Sequence, residues 1–209
     1  EVAAREHAVK IVPIIESVFK KARLSPKDID AVAVTPGPGL VSSLLVGTSA
    51  ASVIAAVLKK PLISVNHIEG HIYANFFDAK PKFPAAVLTV SGGHNELLIW
   101  KDHGSYKFLG STLDDAAGEA FDKVARLLDL GYPGGPAIQK IAKDGDPSKF
   151  PLPKPFLTPW NPATNKFNWD FSFSGLKTAV LYLLRDHANL EKNFIKNNRA
   201  HIAASFQES

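Results

Sequence analysis

Apolar side chains recur every three or four positions over residues 1–22, with charged side chains between them. This period matches one face of an α-helix, so the segment is predicted to form an amphipathic helix. The apolar run 31–35 is predicted to be a buried strand that ends at the turn 36–39, and residues 41–59, rich in Ala, Ser and Val, are predicted to form a closely packed helix. A second strand over 62–65 gives the alternation of strand and helix that is typical of a parallel sheet covered by helices.

The pattern changes near residue 84, where short strands follow one another. Strands at 85–90, 96–101 and 106–110, separated by turn residues, predict an antiparallel meander. The sequence therefore predicts an α/β protein with two lobes, residues 1–84 and 85–209. Beyond the meander, helices are predicted at about 116–129, 136–144, 174–189 and 191–207, with a proline-rich loop at 147–166.

Two histidines follow the second strand at a spacing of four residues, in the segment Asn66-His67-Ile68-Glu69-Gly70-His71. On a helix, His67 and His71 share one face and can bind a single metal ion. Glu69 stands two residues after the first histidine, whereas the H-E-x-x-H motif of metalloproteases requires a glutamate directly after it, so a general base of that type is poorly placed. This spacing also occurs on ordinary amphipathic helices, and a metal site needs at least a third ligand.

Composition narrows the possible chemistry. The 209 residues contain no cysteine, so any metal is held by nitrogen and oxygen atoms. A net charge of +4 permits a nucleic-acid partner but also fits an ordinary solvated surface. The chain shows no signal peptide and no uninterrupted apolar run long enough for a bilayer, so a cytoplasmic protein without a membrane partner is expected. The absence of methionine and a last helix without a stop signal indicate the middle part of a longer protein.

Glycine-rich turns follow two of the predicted strands. Ser91-Gly92-Gly93 is compatible with a plain hairpin turn, or with a backbone loop whose consecutive N–H groups bind a phosphate. Thr35-Pro36-Gly37-Pro38-Gly39 is a second such turn, and it lacks the Gly-Lys-Ser/Thr ending of a Walker loop. Neither turn alone specifies a ligand.

An acidic segment opens the first helix after the meander. Asp115, Glu119 and Asp122 fall on one helical face, where like charges repel each other. The structural interpretation is that Asp114 or Asp115 caps this helix and that Asp122 pairs with Arg126. The functional interpretation is that Asp122 or Glu119 accepts hydrogen bonds from sugar hydroxyls. The segment 131–136, Gly-Tyr-Pro-Gly-Gly-Pro, is predicted to cap this helix and start the next one, and its glycines would let an adenine lie against bare backbone.

Six segments in this order resemble the TsaD family of tRNA N6-adenosine threonylcarbamoyltransferases, once described as glycoproteases. The resemblance runs through essentially the whole chain. The segments are TPGPGL at 35–40, NHIEGH at 66–71, VSGGHNELL at 90–98, LDDAAGEAFDKVARLL at 113–128, GYPGGP at 131–136 and FSFSGLKT at 171–178.

The resemblance implies a two-lobed, actin-like ATPase (ASKHA) fold, truncated here at both ends, with a nucleotide and metal site between the lobes. It implies transfer of a threonylcarbamoyl group from threonylcarbamoyl-adenylate to the exocyclic amine of the adenosine 3′ of the anticodon, in tRNAs that read codons beginning with adenine. One divalent metal ion, iron or zinc, is expected, and no organic cofactor. The implied metal ligands are His67 and His71, and the implied substrate contacts are Thr89, Val90, Ser91, Gly92, Gly93, Asp122 and Gly135.

The resemblance also implies partner proteins and family segments that residues 1–209 do not contain. TsaB and TsaE proteins are the expected partners, beside the tRNA. Family members begin with an acidic strand and carry a late aspartate that completes the metal site; neither is found in residues 1–209, so the isolated chain is expected to be inactive. Gln139 stands where an aspartate is expected. Lysine and arginine side chains that could face tRNA are Lys154, Lys166, Lys177 and Arg199.

Two other functions remain open at this point. A metallopeptidase is suggested by the histidine pair and by the old family description, although the position of Glu69 argues against it. A non-catalytic partner subunit of the same fold is the other alternative, and such a protein would be expected to lose the histidine pair that this chain retains.

Overall fold

The computed structural model describes residues 2–77, 80–156, 160–161, 166–188 and 193–209. The chain forms two compact units, Glu1–Pro81 and Lys82–Ser209. The lobes 1–84 and 85–209 of the sequence analysis stay a prediction. Residues 157–159 and 162–165 of the predicted proline-rich loop, and residues 189–192 where the last two helices were predicted to meet, lie outside the described residues.

The first unit contains two strands and three α-helices among its described residues. β1 and β2 pair in parallel, with Val32 opposite Leu62 and Val34 opposite Ser64, so the predicted strand-helix-strand unit is confirmed. β1 is only partly buried, whereas the sequence analysis expects a buried strand. The elements are α1 (Val2–Ala22), β1 (Val32–Val34), α2 (Val41–Leu58), β2 (Leu62–Ser64) and α3 (His67–Tyr73).

The helix α2 is less closely packed than its small residues suggest. Ala51 and Ala55 are buried against α1 and β1, but Val53 and Val57 are 62% and 74% exposed. The prediction of a closely packed helix is therefore wrong for the described residues, because α1 and β1 cover only part of its surface. By length and composition α2 is also able to cross a membrane, with a mean hydropathy of 2.0, so the expectation that no such run exists is corrected. Apolar core helices of large proteins meet the same two conditions.

The second unit begins with the predicted meander, which is confirmed. β3 and β4 are antiparallel from Ala85 opposite Trp100 to Val90 opposite Asn95, and β5 pairs antiparallel with β4. The predicted loop also contains two short strands that pair with each other, β6 and β7, so part of it is regular. The elements are β3 (Ala85–Val90), β4 (Asn95–Asp102), β5 (Ser105–Ser111), α4 (Ala117–Leu127), α5 (Gly134–Ala142), β6 (Trp160–Asn161), β7 (Lys166–Phe167), α6 (Ser174–Ala188) and α7 (Phe194–Glu208).

The helices α4, α5, α6 and α7 pack together and form the core of the second unit. Their buried side chains recur at helical spacing, as Ala120, Val124 and Leu128 do in α4. Burial of each large apolar side chain stabilises the unit by about 1.5–3 kcal/mol. This core fixes one face of α4, and the opposite face and the ends of the helix are left for the polar contacts described below.

Candidate functional site

Local hydrogen bonds fix the histidine helix α3. The Asn66 side chain accepts hydrogen bonds from the N–H groups of Ile68 and Glu69, at 2.8 and 3.3 Å, and so caps the helix. The His67 N–H donates to the Gly37 carbonyl oxygen at 3.0 Å, which joins the first turn of α3 to the glycine-proline turn after β1. Ile72 is 2% exposed and anchors the other face of the helix.

The structure brings His67 and His71 together, as their spacing predicts. Their Nε2 atoms lie 3.2 Å apart, and both imidazoles are exposed. Two imidazole nitrogens that share one zinc ion in tetrahedral geometry, each about 2.05 Å from it, lie about 3.3 Å apart. The separation suits a hydrogen bond between the two imidazoles, and it also suits two nitrogen ligands of one divalent metal ion.

The described residues offer no third ligand for a metal ion beside this histidine pair. No group of three histidine, cysteine, aspartate or glutamate side chains within these residues is arranged to hold a metal ion. Glu69 is half-buried on α3, and its N–H is bound by the Asn66 cap. If the pair binds a metal ion, the described residues supply two of the three or more ligands that it needs.

In the second unit, the turn Ser91–His94 connects β3 to β4. The Ser91 N–H donates to the His94 carbonyl oxygen at 2.9 Å, and the Ser91 hydroxyl oxygen accepts from the His94 N–H at 3.0 Å. Between them, Gly92 and Gly93 are exposed, and their N–H groups donate to none of the described residues. Two consecutive free donors in a fixed turn can bind an anion. Just before the turn, Thr89 is 7% exposed and Val90 is 57% exposed.

The turn lies against the first residues of α4. A Cβ atom on Gly118 would stand 2.8 Å from the Gly92 Cα, so only glycine allows this approach. Asn95, 4% exposed, accepts a hydrogen bond from the Ala117 N–H at 2.8 Å and thus satisfies the start of α4 from the neighbouring strand. This role of Asn95 is not predicted from the sequence, where the one signal for it is a polar residue between a glycine turn and an apolar strand.

Asp122 lies one turn after Gly118 on α4, on the same side of the helix. One oxygen, Oδ1, accepts a hydrogen bond from the Gly134 N–H at 2.7 Å. Asp122 makes no ion pair with Arg126 among the described residues, so the predicted pair is wrong. Both residues instead line a pocket of about 230 Å³, with Asp129, Gly131 and Tyr132. The second carboxylate oxygen of Asp122 can still accept a hydrogen bond from a ligand hydroxyl.

The end of α4 is capped differently from the prediction. Asp129, with a φ of 59°, takes the left-handed conformation, and the N–H groups of Asp129 and Leu130 donate to the carbonyl oxygens of Arg126 and Ala125. This is a Schellman motif with Asp129, and not Gly131, at the left-handed position. Gly131 lies farther along the chain, with a φ of 83°.

Gly134 and Gly135 open α5 and have different surroundings. A Cβ atom on Gly134 would stand 2.5 Å from the Asp122 Cα, so this glycine permits the contact between α4 and α5. A Cβ atom on Gly135 would meet no atom within 4 Å, so open space borders its backbone. Gln139, one turn further along the helix, is exposed.

The two adjacent aspartates before α4 do not cap it, which corrects the prediction. Asp114 accepts hydrogen bonds from the Ser172 hydroxyl at 2.6 Å and from the N–H groups of Phe173 and Ser174 at 2.9 and 3.1 Å. It therefore caps α6, a helix that begins sixty residues later. The residue at the N-cap position of α4 is Ala116, which has no side-chain acceptor.

Asp115 is the centre of an ion-pair cluster, and its side chain is 13% exposed. Lys177 from α6 binds one carboxylate oxygen at 2.7 Å, and Lys123 from α4 binds the other and also pairs with Glu119. The lysines offset the repulsion expected between the carboxylates. Burial acts to raise the pKa of the Asp115 carboxyl, but the hydrogen bonds and charges of the two lysines outweigh burial and hold the pKa below its usual value.

The basic residues named from the sequence have different surroundings. Lys177 is engaged by Asp115, so it serves the protein's own structure. Lys154 is exposed, and the side chain of Lys166 lies outside the described residues. Arg199 is half-buried and lines a second pocket, at the beginning of α7.

The Asp115 cluster predicts a specific pH dependence. Because the folded-state pKa of Asp115 is lowered, its stabilising effect is present above the unfolded-state pKa of about 3.9 and is lost as the pH falls through the folded-state value. Asp115→Asn should lower the free energy of unfolding at pH 7 by roughly 1–3 kcal/mol and should flatten its decline between pH 5 and pH 2. Urea denaturation across this pH range measures both effects. Glu119→Gln, at an exposed partner of Lys123, is the matched control, and an equal loss in both variants would contradict the prediction.

Comparison with known proteins places the chain in a family. The family model described as TsaD, tRNA N6-adenosine threonylcarbamoyltransferase, matches residues 1–209. A protein of that name from Symbiobacterium thermophilum is 51% identical over 210 residues, which are 100% of this chain and 58% of that protein. The protein of the same name from Thermomicrobium roseum is 53% identical over 194 residues, covering 90% of this chain and 51% of that protein.

A third relative of the same name, from Dictyoglomus turgidum, is 52% identical and is covered over 59% of its length. The chain thus spans somewhat more than half of the curated relatives it matches. Among solved structures, YeaZ from Pseudomonas aeruginosa matches 49% of this chain and 50% of its own, with 16% identity and a TM-score of 0.36, a likeness too slight to indicate more. The match over every residue confirms the α/β, actin-like fold class expected from the motifs, and the chain belongs to the TsaD family.

Proposed function

We propose that the protein is a tRNA N6-adenosine threonylcarbamoyltransferase. It moves the threonylcarbamoyl group of threonylcarbamoyl-adenylate to N6 of the adenosine 3′ of the anticodon, in tRNAs that read codons beginning with adenine. The observation that carries the proposal is the family match over all 209 residues, and the relatives at about half identity have this transferase name. The histidine pair, the glycine turn and Asp122 supply chemistry that suits it.

In this reaction, the N6 amine attacks the carbamoyl carbonyl carbon of the adenylate. A carbon-nitrogen bond forms, the bond from that carbon to the phosphate oxygen breaks, AMP leaves and N6 loses a proton. No protein nucleophile is required, so binding and orientation are the main tasks of the side chains. A divalent metal ion, iron or zinc, held by His67 and His71 would supply Lewis acidity toward the carbonyl oxygen.

The second unit supplies the groups that bind the adenylate. The N–H groups of Gly92 and Gly93 are free to donate to its phosphate. The Asp122 carboxylate, held by the Gly134 N–H, accepts from the ribose hydroxyls with its second oxygen. The open space beside Gly135 admits the flat adenine, while Thr89 and Val90 fix the strand from which the turn leaves.

The proposal extends to location and partners. Because its proposed substrate is tRNA, its proposed location is the cytoplasm, and TsaB and TsaE proteins are its proposed partners. Glu69 keeps its backbone in the Asn66 cap and stands two residues after His67, a position that does not suit the water-activating base of a peptidase.

A reconstituted reaction tests the function directly. The full-length protein, with TsaB and TsaE, is supplied with threonylcarbamoyl-adenylate and an unmodified tRNA transcript, and the digested nucleosides are identified by mass spectrometry. We expect threonylcarbamoyladenosine from the wild-type transcript. A transcript with guanosine 3′ of the anticodon, which lacks the N6 amine, is the control and should give none. Absence of product where the Symbiobacterium thermophilum protein is active would overturn the proposal, and Glu69-dependent cleavage of a protein would support a peptidase.

The histidine pair predicts the metal content. His67→Ala or His71→Ala removes one of the two imidazole nitrogens that lie 3.2 Å apart, and should weaken metal binding by at least about tenfold. The fold should be retained, because both side chains are exposed. Elemental analysis of the purified full-length protein, together with circular dichroism, measures the two properties. His7→Ala, at an exposed histidine of α1, is the matched control, and unchanged metal in the α3 variants would refute the assignment.

Asp122 predicts the strength of adenylate binding. Asp122→Ala should weaken binding of a stable adenylate analogue by about 1–3 kcal/mol, the effect of losing a charged hydrogen bond. Calorimetry on the full-length protein measures the affinity. Asp122→Asn retains an acceptor for the Gly134 N–H, so the contact between α4 and α5 is kept. This variant therefore isolates the effect of the carboxylate charge on adenylate binding. Equal affinity in all three proteins would count against the ribose role.

A further inference from the structure

A second pocket of the second unit contains cations that the adenylate site does not use. It has a volume of about 340 Å³ and lies between the end of α4 and the beginning of α7. Its polar lining comes from Lys196 and Arg199 of α7, from Asn193 just before that helix, and from Asp129. Asp129 also borders the pocket that contains Asp122, so the two pockets meet at this residue.

The two cations of this pocket have no partner among the described residues. Arg199 is half-buried, and its Nε atom is enclosed by the protein without a hydrogen-bond acceptor. No carboxylate of the described residues pairs with this guanidinium, and Arg199 lines the pocket, so an anion bound there would offset its charge. Lys196 is exposed and takes part in none of the ion pairs of the described residues.

The backbone around the pocket contributes N–H donors, and two of its carbonyl oxygens already accept hydrogen bonds. Asn193 does not cap α7 with its side chain, so the N–H groups of the first helical turn have no side-chain cap among the described residues. At the end of α4, the Schellman motif occupies the carbonyl oxygens of Ala125 and Arg126. The beginning of α7 therefore favours an anion, in addition to the two side chains, and the Schellman motif reduces the opposing effect of the carbonyl oxygens at the end of α4.

We propose that this pocket binds a backbone phosphate of the RNA substrate, with Lys196 and Arg199 as its ligands and Asp129 as the acceptor for a neighbouring 2′-hydroxyl. Cations beside one carboxylate match a ribose-phosphate unit, because the phosphate needs positive donors and the 2′-hydroxyl needs an acceptor. The volume exceeds what one phosphate occupies and leaves room for the adjoining sugar. The assignment of RNA as the source of the phosphate rests on the proposed function.

Fluorescence anisotropy with a labelled tRNA transcript and the full-length protein tests this site. Lys196→Ala and Arg199→Ala should each weaken tRNA binding about tenfold at low salt, the effect of one charge-assisted hydrogen bond. Each should also reduce the slope of log affinity against log salt concentration by about 1. Lys140→Ala, which removes the same charge from the exposed face of α5, is the matched control and should leave affinity within about twofold.

Two further experiments test whether the pocket binds free phosphate or RNA phosphate, and what Asp129 contributes. Thermal unfolding with added inorganic phosphate shows whether the pocket takes the free ion. Phosphate could stabilise the wild type but not Lys196→Ala or Arg199→Ala, while all three proteins bind tRNA equally well. That result would overturn the assignment to RNA. Asp129→Gly keeps the left-handed backbone and removes the acceptor, so it should reduce the preference for RNA over a 2′-deoxy strand of the same sequence.

The remaining outcomes each decide the proposal. Equal tRNA affinity and salt slope in the pocket variants and in Lys140→Ala would overturn it, whereas rescue of most of the Arg199→Ala loss by Arg199→Lys would support a charge contact. Circular dichroism identifies a variant that fails to fold, and Lys196→Ala, at an exposed side chain, then carries the test. If the wild type binds tRNA through these residues but forms no threonylcarbamoyladenosine, the phosphate site stands and the proposed function fails.

Discussion

The second unit depends on two neighbouring carboxylates with different partners. Asp114 caps α6 through the Phe173 and Ser174 N–H groups, and Asp115 binds Lys123 and Lys177. Together they tie the end of the sheet, the start of α4 and the start of α6 at one place. Because the Asp115 side chain is 13% exposed, loss of its lysine partners would leave its carboxylate charged, poorly solvated and unpaired.

With α4 fixed in this way, its other face is available for ligands. Gly118 brings the Ser91–His94 turn against the helix, and Asp122 lies one turn further along the same side. The turn has N–H groups without an acceptor among the described residues, and Asp122 has a second carboxylate oxygen, and these are the groups that the proposed adenylate site uses. A site mounted on a packed helix keeps its geometry better than a site on a free loop.

Secondary structure followed from the sequence wherever a local pattern was strong. The predicted helices and strands correspond to described elements whose ends differ by a few residues, and the pairing of His67 with His71 needed only the helical period. The exceptions involve distant partners. Asp114 precedes α4 and was expected to cap it, yet it accepts hydrogen bonds from the start of α6, and Asp129 provides the left-handed cap that a glycine was expected to supply. The helix α2 is also more exposed than its composition predicted, because composition does not specify which surfaces cover a helix.

The sequence by itself determined the α/β class, the family, the histidine spacing and the identity of the residues offered to a metal and a nucleotide. These properties depend on residue type and on short-range periodicity. Only the tertiary structure decided that Lys177 serves Asp115, that Asn95 satisfies the start of α4, and that Lys196 and Arg199 share a pocket with Asp129. Such contacts join residues that are far apart in the chain, and packing of the helices brings them within reach, which no local pattern records.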